Sequence, residues 1–221
     1  DGEGAPMAVI LSDAFTGTNG DAWNASNWTT RVEGATGSAT IQTNRGRLNP
    51  LTGAYTKVIA LAAPASGTVD DFDVTFSWAD GTTGEQYLDW YYRVTTNVAT
   101  GIPASCFLVS VDHSGDQVLI CSIDSGGTLS TGVTVFTAGL NDTARHWMRV
   151  RVVGTQHKVK WWNDGSGEPG TWQIDETDPD AGGWTTGRVL LAQTNGASGT
   201  SRNADFDDFS LDDLITTDPA P

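Results

Sequence analysis

The clearest pattern in the chain is the alternation of apolar and polar positions through residues 146–162, interrupted only at Gly154–Thr155. Two strands joined by a two-residue turn account for it, and such a turn fixes the pairing register. Val153 then faces Gln156, Arg151 faces Lys158, Arg149 faces Lys160 and Trp147 faces Trp162. One face of this hairpin carries Trp147, Arg149, Arg151, Lys158, Lys160 and Trp162. The other carries Met148, Val150, Val152, Val159 and Trp161 and has the character of a core face. Like charges directly opposed across strands repel, so an anion from the protein or from a ligand is expected beside the four cations.

The same period of two marks further strands at Val9–Phe15, Ala39–Gln42, Arg47–Asn49, Phe72–Trp78, Gln86–Val94, Gly132–Thr137, Arg188–Gln193 and Asp205–Asp212. In Gln86–Val94, strict alternation puts Leu88, Trp90, Tyr92 and Val94 on one face and Tyr87, Asp89, Tyr91 and Arg93 on the other. A further hairpin spans Cys106 to Cys121; a four-residue loop at Asp112–Gly115 pairs Val111 with Asp116 and sets Cys106 opposite Cys121. That register allows a cross-strand disulfide, and two buried free thiols are the alternative. No stretch shows a helical period. About a dozen short strands separated by turns predict an all-β fold, a two-sheet antiparallel β-sandwich.

Composition sharpens this picture. The 221 residues suit a single β domain, expected over residues 7–215, with Asp1–Pro6 a preceding linker and residues 216–221 a flexible tail. Met7 resembles a natural start; a mature domain cut from a longer secreted chain is the alternative. The formal charge of -15 opposes binding to nucleic acid or to anionic membranes. No apolar run is long enough to cross a bilayer as a helix.

Candidate chemistry lies on the polar faces. Tyr87, Asp89, Tyr91 and Arg93 form a carbohydrate-binding candidate: flat aromatic rings stack on sugar rings, and the charged groups orient hydroxyls. The competing reading is a face covered by a loop, its charges paired internally. Trp147, Arg149, Arg151, Lys158, Lys160 and Trp162 form a second candidate, for an anionic ligand. Its competing reading is a salt-bridge lattice with Asp71, Asp73 or Asp207. The sequence holds no Gly-x-Ser-x-Gly elbow and no His-Glu-x-x-His pair, and His113, His146 and His157 are scattered.

The runs Trp147–Gly154, Lys158–Gly165, Glu168–Trp172, Gly187–Leu191 and Phe206–Leu211 resemble the C-terminal half of concanavalin A-like lectin/glucanase domains of laminin-G type. The opening, Leu11–Thr29, is similar to that of such domains in actinobacteriophage minor tail proteins and some secreted actinobacterial proteins. The resemblance implies a jelly roll whose first and last strands are adjacent. It then brings Asp13 toward Asp207 and Asp208, a carboxylate set suited to a structural Ca2+; the loop with Asp175, Asp178 and Asp180 is a competing site. Glucanases of this fold carry Glu-x-Asp-x-x-Glu, which none of the five glutamates here matches. The expected function is therefore non-catalytic glycan binding at a cell surface, in a phage tail or other virion or extracellular particle, with homo-oligomerisation inside that particle allowed. A purely structural domain and a polysaccharide-degrading enzyme are the alternatives.

Overall fold

The computed structural model describes residues 8–64, 67–137, 139–177 and 183–214. The linker Asp1–Pro6, Met7, Asp178, Asp180 and the tail from residue 215 lie outside these. The strands are β1 (Ala8–Asp13), β2 (Trp28–Glu33), β3 (Gly37–Ile41), β4 (Gly46–Pro50), β5 (Lys57–Ala62), β6 (Phe72–Asp80), β7 (Gln86–Val94) and β8 (Cys106–Asp112). They continue with β9 (Gln117–Ile123), β10 (Leu129–Phe136), β11 (Arg145–Val153), β12 (Gln156–Asn163), β13 (Ile174–Thr177), β14 (Arg188–Asn195) and β15 (Ala204–Asp213).

These strands make two antiparallel sheets packed as a jelly-roll β-sandwich. One runs β13-β12-β11-β6-β15-β4-β3, with β1 also on β15; the other runs β10-β9-β8-β7-β14-β5-β2. First and last strands are indeed neighbours: Asp13 of β1 pairs with Phe209 of β15. The eight-stranded sheet turns Phe72, Val74, Phe76 and Trp78 of β6, and Met148, Val150 and Val152 of β11, into the core. Opposite them lie Leu88, Trp90 and Tyr92 of β7 and Phe107, Val109 and Val111 of β8. The β11–β12 hairpin has the register that its turn dictates, with Arg149 opposite Lys160 and Trp147 opposite Trp162.

A bulge in β15 keeps its apolar residues inward. Between Asp207, opposite Ser77, and Ser210, opposite Thr75, the chain inserts an extra residue, and Asp208 takes φ 50°. Phe206, Phe209 and Leu211 therefore all reach the core. One end of the sandwich is closed by the opening segment. Phe15, Trp23 and Trp28 pack together at ring-centroid distances of 4.7–5.9 Å, and Trp28 meets Phe209 edge-on at 4.9 Å.

Candidate functional site

The seven-stranded sheet does not follow the rule of one apolar and one solvated face. Its outer face carries a second apolar cluster that includes Ile59, Leu61, Tyr91, Cys106, Leu108, Cys121, Ile123, Leu190 and Ala192. Part of it is roofed by the 95–105 loop. The Arg31 guanidinium donates to the carbonyls of Asn97, Val98 and Gly101 at 3.2, 2.8 and 2.9 Å, and Glu33 accepts from the Gly101 amide at 2.7 Å. The rest is the floor of an open groove of about 320 Å3.

The groove has a polar end and an apolar end. One cross-strand row brings together Lys57, Thr194, Tyr87, Asp112 and Gln117; the next holds Asp89, Ser110 and Leu119. Asp89 is buried, yet both of its oxygens are served. Ser110 Oγ donates to Oδ1 at 2.7 Å; Lys57 Nζ, the Tyr91 hydroxyl and Thr194 Oγ1 donate to Oδ2 at 3.1–3.2 Å. Lys57 balances the charge and also donates to Thr194 Oγ1 at 3.0 Å. The network fixes the floor in one geometry, as a fully satisfied buried polar cluster does. Half-buried Tyr87 stands beside it. Burial, reinforced by the Asp112 carboxylate, pushes its phenol to about 12, so it keeps its proton and remains a donor at neutral pH. Tyr55, at 58% exposure, overhangs the polar end; Ile102 and Leu129, each at 54%, flank the apolar end.

Of the carbohydrate candidate read from the sequence, Tyr87, Asp89 and Tyr91 meet in this groove and Arg93 does not. Two residues of β7 oppose one of β14 between Tyr91–Leu190 and Val94–Arg188, and Arg93 takes φ 53°. The phase flips there. Arg93 is buried and donates to the carbonyls of Asp70 and Trp184, while Val94 joins the outer apolar cluster. Tyr91 and Asp89 form the floor rather than an exposed platform. Sequence reading missed Tyr55, Lys57, Ser110, Ile102 and Leu129, which long-range pairing and loops deliver. For Lys57 the one local signal was the apolar run that follows it.

The basic face is a salt-bridge lattice. Asp73 of β6 accepts from Arg149 Nε and Nη2 at 2.7 and 2.8 Å and from Arg151 Nε at 2.7 Å. Glu168 lies 2.7 Å from Arg149 and 2.6 Å from Lys160, and Asp175 lies 3.1 Å from Lys158. Those two cations hold the Glu168 carboxyl below its usual range against the opposing effect of burial. Trp147 and Trp162 stack at 6.0 Å, and Trp172 lies 4.5 Å from the Lys160 ammonium. Asp71 and Asp207 serve elsewhere. Asp71 accepts from the Gly154 amide at 2.7 Å, and Asp207 accepts from Arg145 at 3.1 Å.

Three expectations are corrected. The β8–β9 loop is His113–Asp116, one residue later than expected, so Asp112 pairs with Gln117. Cys106 then faces Ile123 and Cys121 faces Leu108; the two side chains sit diagonally as buried thiols rather than as a cross-strand disulfide, and burial pushes Cys106 to about 12. The Ca2+ set does not assemble either. Asp13 accepts from the Phe15 amide, Asn27 and the Trp28 indole at 2.7, 3.0 and 2.8 Å, anchoring the aromatic end of the core. Arg145 sits 3.1 and 2.7 Å from Asp207 and Asp208, occupying the place a cation would take. Among the described residues no group of three or more His, Cys, Asp or Glu is placed to hold a metal ion. These carboxylates do not fit Ca2+.

No family model matches the sequence, and no curated protein is similar to it in sequence. Solved structures are similar in fold. The carbohydrate-binding module CBM66 from Bacillus subtilis superposes with a TM-score of 0.60 at 16% identity, over 85% of this chain and 96% of that one. The exoplasmic/lumenal domain of VIP36, in a Ca2+- and Man2-bound form, gives 0.64 at 14% identity over 96% and 89%. LamAcat from Zobellia galactanivorans gives 0.63 at 11% identity over 92% and 96%. At such identities the likeness concerns the fold, and the fold is the concanavalin A-like jelly roll.

Proposed function

We propose that the chain is a non-catalytic glycan-binding domain whose site is the groove on the outer face of the seven-stranded sheet. The observation that carries this is the Asp89 network, a rigid polar floor set beside the tyrosines of an open groove. Tyr55 and Tyr87 stack on sugar rings, Asp112 and Gln117 meet hydroxyls, and Asp89, Tyr91 and Lys57 hold the floor. Lectin-like folds that take sugars support the reading: VIP36 is solved with mannose, and a LamA variant with laminaritriose and laminaritetraose.

Hydrolysis of a glycosidic bond needs one carboxylic acid free to give up a proton and a second carboxylate. The groove offers Asp89 and Asp112. Asp89 is saturated by protein donors, and Asp112 accepts from Ser114 Oγ, the Gly115 amide and Gln117 Nε2 at 2.8–3.1 Å. Both are better suited to holding structure than to moving protons, which favours binding without turnover. Placement at a cell surface, in a phage tail or similar particle, rests on the resemblance of the opening segment alone. Whether copies associate there is part of the same proposal.

The test is a polysaccharide and cell-wall pull-down across a salt series. The Tyr55→Ala/Tyr87→Ala double variant is expected to lose binding. Arg149→Ala/Lys160→Ala is expected to keep it, with little salt dependence in the parent. Binding lost only in the basic-face variant would move the site there. A folded parent that binds no saccharide would favour the structural reading.

A further inference from the structure

The groove's chemistry changes along its length in a way that a plain sugar chain does not explain. On β9 the outward positions run Gln117, Leu119, Cys121, Ile123, and on β8 they run Asp112, Ser110, Leu108, Cys106. Polar partners therefore sit at one end only. Beyond the Asp89–Ser110 row the floor is Leu108, Cys121 and Ile123, flanked by the exposed aliphatic side chains of Ile102 and Leu129. A sheet face bathed in water carries polar outward residues. This one has an apolar floor, nearly covered by its surroundings but lining the groove, and a hydroxyl placed over it finds no partner to replace water. From Gln117 to Ile123 is six residues, roughly 20 Å of strand, enough for a sugar unit followed by a short chain. The volume, about 320 Å3, is at the small end for ligand sites and matches a sugar unit with a short substituent.

Charge narrows the ligand further. The charged groups lining the groove are Lys57, Asp89 and Asp112. Lys57 is paired with Asp89, which leaves the lining with one net negative charge inside a protein of formal charge -15. A carboxylate or phosphate substituent would be repelled.

Resting on the glycan-binding reading above, we propose that the ligand is a neutral saccharide bearing a short aliphatic substituent, an O-acyl, N-acyl or alkyl group. The sugar sits against Tyr55, Tyr87, Asp112 and Gln117, and the aliphatic group lies over Leu108, Leu119 and Ile123 between Ile102 and Leu129.

The test is calorimetric titration with a panel of glucose, galactose, mannose, rhamnose and N-acetylglucosamine glycosides, each with methyl, butyl and hexyl aglycones. At least one series is expected to tighten by about fourfold per methylene, as burial of a CH2 group dictates, until the floor is covered. The Ile102→Ser/Leu129→Ser variant changes exposed positions and should fold. It is expected to flatten that rise while the methyl glycoside still binds. The polysaccharide found by pull-down should bind more weakly after alkaline removal of O-acyl groups, or, if its acyl groups are amides, after N-deacylation. Affinity independent of aglycone length in every series overturns the inference; with polysaccharide binding intact, the glycan-binding reading survives it. Hexanol binding as tightly as every hexyl glycoside, with no polysaccharide bound, overturns both.

Discussion

Replacing Asp73 by Asn should destabilise the protein more than any other single change on the outer face of the eight-stranded sheet. Asp73 is the shared acceptor of Arg149 and Arg151, which lie directly opposite Lys160 and Lys158. Its side chain is 2% exposed, those of the two arginines 21% and 34%. The substitution removes the central charge and points an amide N–H at guanidinium groups. Breaking a buried ion pair costs about 3–5 kcal/mol. Here the arginines reach solvent and Arg149 keeps Glu168, which cuts the cost. Loss of the repulsion between Asp73 and its cross-strand neighbour Asp212 returns a little more. About 2–3 kcal/mol remains, or roughly 4–12 °C in Tm for a domain of this size. Guanidinium and thermal unfolding measure it. Salt screens the unmasked repulsion, so in a salt series followed by thermal unfolding the variant should recover part of its deficit. Arg149→Met added to Asp73→Asn should cost less than the two changes summed. A variant within 0.5 kcal/mol of the parent at low salt would refute the idea that this one buried carboxylate holds the two arginines in place against the lysines opposite.

Three further outcomes follow from the structure. Cys106 and Cys121 should both be alkylated after denaturation without reductant, and neither should react quickly in the native state; a mass 2 Da below the reduced value would contradict this. His157 is pushed down to about 3 by burial and by the nearby Arg93, so the native ring stays neutral while the unfolded one protonates near 6.5. Its contribution is complete above pH 6.5 and is lost as pH falls toward 3, by up to about 5 kcal/mol. His157→Gln should flatten the acid limb of the stability profile measured by denaturant unfolding, and an unchanged limb would count against it. Asp13→Ala, which strips three hydrogen bonds from the aromatic end of the core, should cost about 2–3 kcal/mol, and chelator should leave the parent's Tm unchanged; a chelator-sensitive Tm would restore a metal at that end.

Local chemistry decided how much of this was legible in sequence. The β11–β12 hairpin could be paired residue by residue because a two-residue turn allows one register. Asp73 was among the acids expected to answer its cations, but Glu168 and Asp175, its other acidic partners, lie in segments without alternation. β5 was missed because Val58, Ala60 and Ala62 face the core while Ile59 and Leu61 face the second cluster, which erases the period of two. The cysteine register failed by one residue because a four-residue loop can start at Asp112 or at His113. Tyr87, Asp89 and Tyr91 were placed on one face correctly. Arg93 was lost to a bulge that no Gly or Pro within β7 marks; the glycine there is Gly187, nearly a hundred residues away in sequence, whose missing Cβ leaves room for the Arg93–Val94 backbone. The apolar half of the groove was invisible, since outward leucines on β8 and β9 look like core residues until the sheets are assembled.

Hydrogen exchange with and without the saccharide selected by pull-down tests the central claim most directly. Saturating ligand is expected to protect amides along the groove, in β7, β8 and β9 and in the 124–128 and 95–105 loops, and to leave β11 and β12 unchanged. Protection confined to β11–β12, or none anywhere despite saturation, would contradict a site on the seven-stranded sheet.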